Sequence, residues 1–179
     1  TSGLTIVAKH AVSAAILGQM VRAKVEQGLK APGIHRTYLA IVEGKVMPVS
    51  GVMDAPIARQ EDRCLRRVVD FKRGDRAVTH YRVLTGWQTG NAQKFRSLVK
   101  LQLETGRTHQ IRVHMAWIRH PIAGDPVYGI GKPELGLHSQ CLHAKELTFL
   151  HPRTGEEMTL SCPLPEEFEN ALKKLQRMM

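Results

Sequence analysis

The stretch Leu103-Glu104-Thr105-Gly106-Arg107-Thr108-His109-Gln110-Ile111-Arg112-Val113-His114 marks the point where a strand gives way to a helix. Residues 95–103 alternate apolar and polar side chains, as strands with one buried face do. Beyond the stretch, apolar residues recur at helical spacing, at Ile111, Met115 and Ile118. Thr108 is placed to cap this helix and Pro121 to close it, so the pattern predicts a helix from Thr108 to about Arg119.

Polar side chains crowd the start of this predicted helix, at Arg107, His109, Gln110, Arg112 and His114. A helix N-terminus offers unpaired N–H groups and the positive end of the helix dipole, and arginine adds a planar fork for phosphate or carboxylate. The pattern therefore indicates an anion-binding site. The alternative is a basic helix end that merely faces solvent.

Two other kinds of site match these residues less well. His109 and His114 are five positions apart, which does not place them on one helical face, and no adjacent carboxylate completes a zinc set. A hydrolytic site built on Ser2 or Ser139 lacks the nucleophile elbow that such a serine needs. We therefore expect no metal site.

Strand patterns occupy much of the remaining chain, over residues 37–44, 77–84, 95–103, 140–150 and 158–162. Turns around Gly74 and Gly90 predict an antiparallel meander, and Pro152-Arg153-Thr154-Gly155 predicts a hairpin. Residues 2–8 are predicted to form a buried strand. Because Thr1 stands directly before that strand in place of an initiator methionine, we expect the chain to begin inside a fold.

Two further helices complete the predicted set of elements. Apolar spacing favours an amphipathic helix over residues 10–26, packed on the sheet and ended by Gly28, and another helix over residues 166–177. There is no internal repeat or low-complexity linker. Residues 1–179 are therefore predicted to form one α+β domain with a largely antiparallel, mixed sheet flanked by helices.

The net charge of the chain favours some classes of partner over others. Twenty-six Lys and Arg against 16 Asp and Glu give 179 residues a formal net charge of +10, which favours nucleic acid over an anionic membrane surface. No apolar run approaches the roughly 20 residues that a membrane span needs, and no signal-peptide pattern is present. We expect a soluble protein that acts in the cytoplasm.

Two more features have ordinary alternatives. A basic stretch consists of Arg59, Arg63, Arg66, Arg67, Lys72, Arg73 and Arg76, and it could bind phosphates or simply face solvent. The three cysteines, Cys64, Cys141 and Cys162, lack a C-x-x-C spacing, so we expect them to be reduced and uninvolved.

An ordered set of motifs carries a family resemblance. E-T-G-R-T-H-Q-I-R-V-H is followed by Gly124-Asp125-Pro126-Val127-Tyr128-Gly129, by Leu142-His143-Ala144 and by His151-Pro152. Upstream, Tyr38-Leu39-Ala40-Ile41-Val42-Glu43-Gly44 matches a Y-x-A-x-V-x-G strand, and Thr1-Ser2-Gly3-Leu4 matches the end of an H-R-L-D-x-x-T-S-G-L signature. In this set the chain resembles the ribosomal large-subunit type of RNA pseudouridine synthase over its whole length.

The resemblance implies an enzyme that isomerises selected uridines in structured RNA to pseudouridine, without a cofactor or metal. The implied substrate is ribosomal RNA and in some members transfer RNA. Such an enzyme needs a basic surface for phosphates and a pocket for one flipped nucleotide. The implied nucleophile is the aspartate of H-R-L-D, expected three residues before Thr1, and the 179-residue chain alone is expected to be inactive.

The resemblance also assigns roles to residues of this chain. Tyr38 corresponds to the tyrosine that packs against the target base, and Arg112 to the arginine that ion-pairs with the catalytic aspartate. Arg107, His109 and Gln110 are implied to bind RNA or to support the site, and Leu142 is a candidate for lining the base pocket. The alternatives are core packing for Tyr38 and Leu142 and a phosphate contact for Arg112.

Two other functions stay open from the sequence. One is a non-catalytic RNA-binding module, since the aspartate lies outside this chain. The other is a phosphate-recognising hydrolase that uses the arginine and histidine cluster.

Overall fold

The structure is a computed structural model that describes residues 1–30, 32–61, 66–89, 94–129 and 135–178. In these ranges the helices are α1 (Ala11–Gln27), α2 (Gln110–Trp117) and α3 (Glu166–Arg177). The strands are β1 (Ser2–Gly3), β2 (His35–Glu43), β3 (Ser50–Asp54), β4 (Ile57–Arg59), β5 (Arg67–Val69), β6 (Val78–Thr89), β7 (Lys94–Leu103), β8 (Leu142–Leu150) and β9 (Glu157–Ser161). Arg63, Cys64 and Gly90, which carried sequence predictions, lie outside the described residues.

Seven of these strands form one mixed sheet in the order β1-β8-β2-β7-β6-β3, with β9 also paired to β8. β1 runs parallel to β8, whereas the other pairings named here are antiparallel. β4 and β5 form a separate two-stranded hairpin. The predicted α+β class with a largely antiparallel, mixed sheet is confirmed. The strands of the predicted meander, β6 and β7, pair antiparallel as expected.

The register of the central strands defines one functional face of the sheet. Tyr38 on β2 lies opposite Leu101 on β7, which lies opposite Tyr81 on β6. Directly opposed residues point to the same face of a sheet, and alternation along the strands adds Ala40 and Thr79 to it. α2 packs on this face, because two of its side chains are hydrogen-bonded to Thr79.

The main hydrophobic core joins the sheet to two of the helices. From the sheet it takes Ala40, Val42, Val99 and Leu101, all fully buried. From α2 it takes Ile111 and Met115, and from α3 it takes Phe168, Ala171 and Leu175. α1 instead contributes Leu17 to a smaller cluster, whose other buried members are Ile34, Leu147 and Phe149.

The prediction of a buried strand over residues 2–8 is wrong. The strand consists of Ser2–Gly3, both exposed, and the last backbone bond to β8 is from the Leu4 N–H to the Ala144 oxygen at 3.0 Å. β9 occupies the β8 edge from Glu146 onward, so residues beyond Leu4 have no pairing position there. Ile6 and Ala8 instead lie half-buried against the α1 cluster, and Val7 is exposed.

The helix predicted from Thr108 is shorter than expected and is not capped by that residue. His109 is the N-cap, with φ of 59° in the left-handed region and no side-chain capping bond, and α2 ends at Trp117. Arg119 also has positive φ, 66°, which prevents the helix from continuing. By contrast, α1 and α3 lie within one residue of their predicted bounds, and Gly28 ends α1 as expected.

None of the described helices is long and apolar enough to cross a membrane.

Candidate active site

The loop before α2 is held by the side-chain amide of Gln110. Its nitrogen donates to the Val78 oxygen at 2.9 Å and to the Thr79 hydroxyl at 3.0 Å. Its oxygen accepts from the Thr105 hydroxyl at 2.8 Å and from the Arg107 N–H at 2.9 Å. Gln110 therefore fixes the loop that leads into α2, and protein atoms occupy both ends of its amide.

His114 continues this network at the base of α2. Its ring is fully buried, with Nε2 2.8 Å from the Ala55 oxygen and Nδ1 2.8 Å from the Thr79 hydroxyl. A carbonyl oxygen only accepts, so Nε2 carries the proton and Nδ1 accepts from Thr79. Burial lowers the pKa of His114, which keeps the ring neutral and suited to this pair of bonds.

Arg112 and Asp125 form a two-point ion pair inside the molecule. Arg112 Nε and Nη2 each donate to one oxygen of Asp125 at 2.7 Å, and the Asp125 side chain is 0% exposed. The backbone N–H groups of Val127 and Tyr128 also donate to Asp125 Oδ1. Burial acts to raise the pKa of Asp125, but the bonds from Arg112 and the two amides outweigh it and hold that pKa below its usual value.

Tyr128 links this ion pair to the start of β5. The Arg112 guanidinium lies 5.1 Å from the centre of its ring. Its hydroxyl accepts from the Arg67 N–H at 2.8 Å and lies 3.2 Å from His109 Nδ1. The imidazole Nε2 of His109 has no hydrogen-bond partner in the described part of the chain.

The surroundings of His109 keep its ring neutral. Burial lowers the pKa of His109, and the positive charges of Arg112 and Arg67 lower it further. Asp125 opposes these effects without cancelling them, so the ring is neutral at neutral pH.

Tyr38 and Leu142 lie on the sheet face beneath α2, and no described contact joins them to Arg112. Leu142 is buried and pairs with Ala40, two residues after Tyr38. Tyr38 is half-buried, and this burial raises the pKa of its phenol. Two strand spacings, about 10 Å, separate Tyr38 from the β6 residues that α2 contacts.

Arg107 lies apart from this cluster. It is exposed and pairs with Asp75 at 3.5 Å, and it lines an open groove of about 530 Å³ with Arg59, Arg67 and Arg73. Arg67 Nη1 is buried there without a hydrogen-bond partner among the described residues. The predicted basic stretch is therefore in part a single concave surface beside α2.

The structure thus brings Arg112, His109 and Gln110 together and places Arg107 on the adjoining groove. Sequence reasoning missed Asp125 and Tyr128 as site residues, although both lie in the quoted Gly124–Gly129 motif. An aspartate followed by proline indicates a turn in which the carboxylate accepts nearby N–H groups, and this signal was available. In the described residues no group of three or more His, Cys, Asp or Glu side chains could hold a metal ion.

The model of a known protein family matches the part of the chain that builds most of this site. The family is described as RNA pseudouridylate synthase, and the match covers residues 1–117, from β1 to the end of α2. The chain belongs to this family. The fold and the family implied by the sequence motifs are therefore confirmed.

Individual relatives agree with this membership. The Bacillus subtilis (strain 168) protein YjbO, named an uncharacterized RNA pseudouridine synthase, is 40% identical over 173 residues, covering 97% of this chain and 55% of its own. Ribosomal large subunit pseudouridine synthase D of Zymomonas mobilis is 39% identical over 183 residues, covering 98% of this chain and 53% of its own. The chain spans about half the length of these relatives.

A solved structure shares the fold. Human RNA Pseudouridylate Synthase Domain Containing 1 superimposes with a TM-score of 0.68 at 23% identity, over 95% of this chain and 74% of the human one. At this identity the likeness concerns the arrangement of helices and strands.

Proposed function

We propose that this chain is the catalytic domain of an enzyme that converts uridine in structured RNA to pseudouridine, with large-subunit ribosomal RNA as the principal substrate. In this reaction the bond from N1 of uracil to the ribose breaks, the base turns over, and C5 bonds to the same ribose carbon. C5 loses a proton and N1 gains one, so the mass of the RNA does not change. A cytoplasmic site of action belongs to the same proposal.

The observation that carries the proposal is the two-point contact between Arg112 and Asp125, with Tyr128 lying between this pair and His109 at the start of α2. We assign the nucleophile to an aspartate expected three residues before Thr1. Arg112 would stabilise its charged form, with the Asp125 pair holding the guanidinium in place.

The remaining residues have supporting parts in this proposal. Tyr38 would pack against the flipped uracil on the sheet face, where its aromatic ring can stack and its phenol can hydrogen-bond. Leu142 would form part of the apolar pocket. His109 would present Nε2–H to the RNA as a neutral donor, and Arg107 would contact phosphate, while Gln110 supports the loop that carries both.

Carbodiimide labelling of RNA tests the proposal. The domain, produced with the residues encoded upstream, is incubated with unmodified large-subunit ribosomal RNA. We expect new carbodiimide-reactive positions in RNA of unchanged mass and no release of nucleotide or phosphate. Binding without labelling would establish the non-catalytic RNA-binding module instead, and release of phosphate would establish the hydrolase.

Two variants separate the proposed roles in the same assay. Tyr38→Ala should lower turnover more than RNA affinity, because phosphate contacts supply most of the binding. Arg112→Lys should abolish most turnover, because lysine cannot make the two-point contact. Wild-type turnover in the lysine variant would contradict the role of Arg112.

A further inference from the structure

Two exposed aromatic rings touch each other on the outer side of α2. The centres of Phe71, just after β5, and Trp117, at the end of α2, are 6.2 Å apart with the ring planes at 56°. Phe71 is 68% exposed and Trp117 is 47% exposed. The chain has four phenylalanines, two tryptophans and three tyrosines, all in the described ranges, and the other seven are buried or half-buried there.

Such a pair is not explained by packing. Single exposed apolar residues are common on protein surfaces, but two adjacent large rings leave a contiguous apolar patch facing water. One helical turn before Trp117, Val113 is buried in a small cluster with Ile57, Ala77 and Tyr128. The outer faces of the rings therefore have no described residue to pack against.

The charges beside the rings indicate which kind of partner they fit. Lys72 follows Phe71 directly and Arg119 lies two residues after Trp117, and both are exposed. Neither has a carboxylate partner in the part of the chain that the structure describes, whereas Arg73 nearby is paired with Asp70 and Glu61. An exposed aromatic surface with two exposed cations close to it in the sequence suits a nucleotide, which offers a flat base and an anionic phosphate.

We propose that Phe71 and Trp117 form a stacking platform for an unpaired nucleotide of the RNA, with Lys72 and Arg119 contacting its phosphates. The platform lies at the opposite end of α2 from His109 and Arg112, so it binds a nucleotide other than the one that is isomerised. It rests on the proposed function in that RNA is the substrate. Its effect is to fix where the strand lies relative to α2.

Binding to two matched oligomers tests the platform. One is a short single-stranded RNA, and the other has the same phosphates and riboses but no bases. Base stacking contributes enough that Trp117→Ala should weaken binding of the first roughly tenfold. Binding of the abasic oligomer should not change, and neither should the dependence of affinity on salt.

Conservative variants separate stacking from simple apolar contact. Trp117→Tyr keeps an aromatic face and should bind RNA within about threefold of wild type, whereas Trp117→Leu should behave like the alanine variant. Lys72→Gln and Arg119→Gln should each reduce the slope of log affinity against log salt by about 0.7. If leucine restores binding, the patch is an apolar contact and the platform is excluded.

Intrinsic fluorescence supplies a direct signal. Trp87 is 4% exposed in the core, so Trp117 is the tryptophan that RNA can reach. Its emission should fall with the base-containing oligomer and not with the abasic one. Unchanged emission together with unchanged affinity of Trp117→Ala overturns the platform, as does a loss of self-association in that variant with RNA affinity intact.

The platform and the proposed function can fail separately. If Trp117→Ala binds and isomerises RNA like wild type, the platform is wrong and the enzyme assignment stands. If base-dependent quenching occurs but the upstream-extended protein forms no pseudouridine, the enzyme assignment is wrong and the platform stands. If the wild-type chain binds neither oligomer, the platform is wrong.

Discussion

The longer helix, α1, has fewer buried residues than the shorter helix, α2. α1 has 17 residues, of which Leu17 and Lys24 are buried, whereas six of the eight residues of α2 are buried. Three of those six, Gln110, Arg112 and His114, are polar, and each has bonds to other elements. α2 is thus fixed by specific polar contacts, and α1 rests on the sheet through a small apolar cluster.

This contrast locates the rigidity of the molecule. A buried polar group costs free energy unless it is bonded, so a helix with three of them is stable in one position only. The side chains at the start of α2 are therefore also held in fixed positions. α1 has one buried polar side chain, Lys24, which donates to the Ile34 oxygen, so this helix is fixed by fewer contacts of this kind. The contrast can be measured by comparing equivalent changes in the two helices.

The largest expected effect comes from breaking the buried ion pair beside α2. Asp125→Ala leaves the Arg112 charge buried without a partner and should lower the free energy of unfolding by about 3–5 kcal/mol. Asp75→Ala is the control, because its pair with Arg107 is exposed and should contribute less than about 1 kcal/mol. Urea titration measures both, and similar losses would show that burial does not govern these pairs.

A matched valine substitution compares the two helices directly. Val113 on α2 is 4% exposed and Val12 on α1 is 72% exposed. Val113→Ala removes two buried methyl groups and should cost about 2 kcal/mol. Val12→Ala should change stability by no more than about 0.5 kcal/mol. Equal costs in thermal unfolding would contradict the packing described for α1.

Lys24 offers a stabilising change in α1. Burial lowers its pKa to about 8 from 10.5, with Arg36 adding to the effect and Glu104 opposing it. The folded chain binds this proton less tightly than the unfolded chain, so wild-type stability should rise between pH 8 and 10.5. Lys24→Met loses the bond to the Ile34 oxygen but should still gain about 1–2 kcal/mol at pH 7.

The pH profile of that variant is the decisive measurement. The rise in stability above pH 8 should disappear when Lys24 is replaced, because no proton is then released from this site. A variant that keeps the same rise would show that another group causes it.

The smallest expected effect concerns acid sensitivity at α2. The pKa of His114 is lowered in the fold, so its contribution to stability is present above the unfolded value near 6.5 and is lost as pH falls toward the folded value. Stability should fall by about 1 kcal/mol per pH unit there, and His114→Asn should reduce this slope. His109 and His143, whose pKa values are also lowered, retain part of it.

Much of the fold was predictable because most elements are locally determined. Alternation gave β6, β7 and the β8–β9 hairpin, and apolar spacing with Gly28 gave α1. The first residue of α2 was not predictable from the sequence. Thr108 was expected to cap the helix, but the turn before α2 is held by the side chain of Gln110. β4 and β5 were missed because charges dominate their segment, and their pairing has no strong alternating signal.

For the site, too, some residues were predictable from the sequence and others were not. Motifs identified Arg112 and its neighbours, since their spacing along the chain is itself the signal. The partners Asp125 and Tyr128 come from a separate loop, and only the folded arrangement shows that the loop returns to α2. Three-dimensional neighbours of this kind carry no periodicity that a single sequence displays.

The contacts of Gly3 and Ser2 fix the position of β1 beside β8. A side-chain carbon at Gly3, whose φ is 103°, would lie 2.3 Å from the Ala144 oxygen, and the neighbouring Ser2 hydroxyl is bonded to His143 at 2.9 Å. These contacts hold β1 in a single register. One inserted residue beside Gly3 would shift the backbone of β1 by about 3.3 Å and would separate the Ser2 hydroxyl from His143. The length of this segment is therefore more tightly constrained than the identity of the exposed residue Thr1.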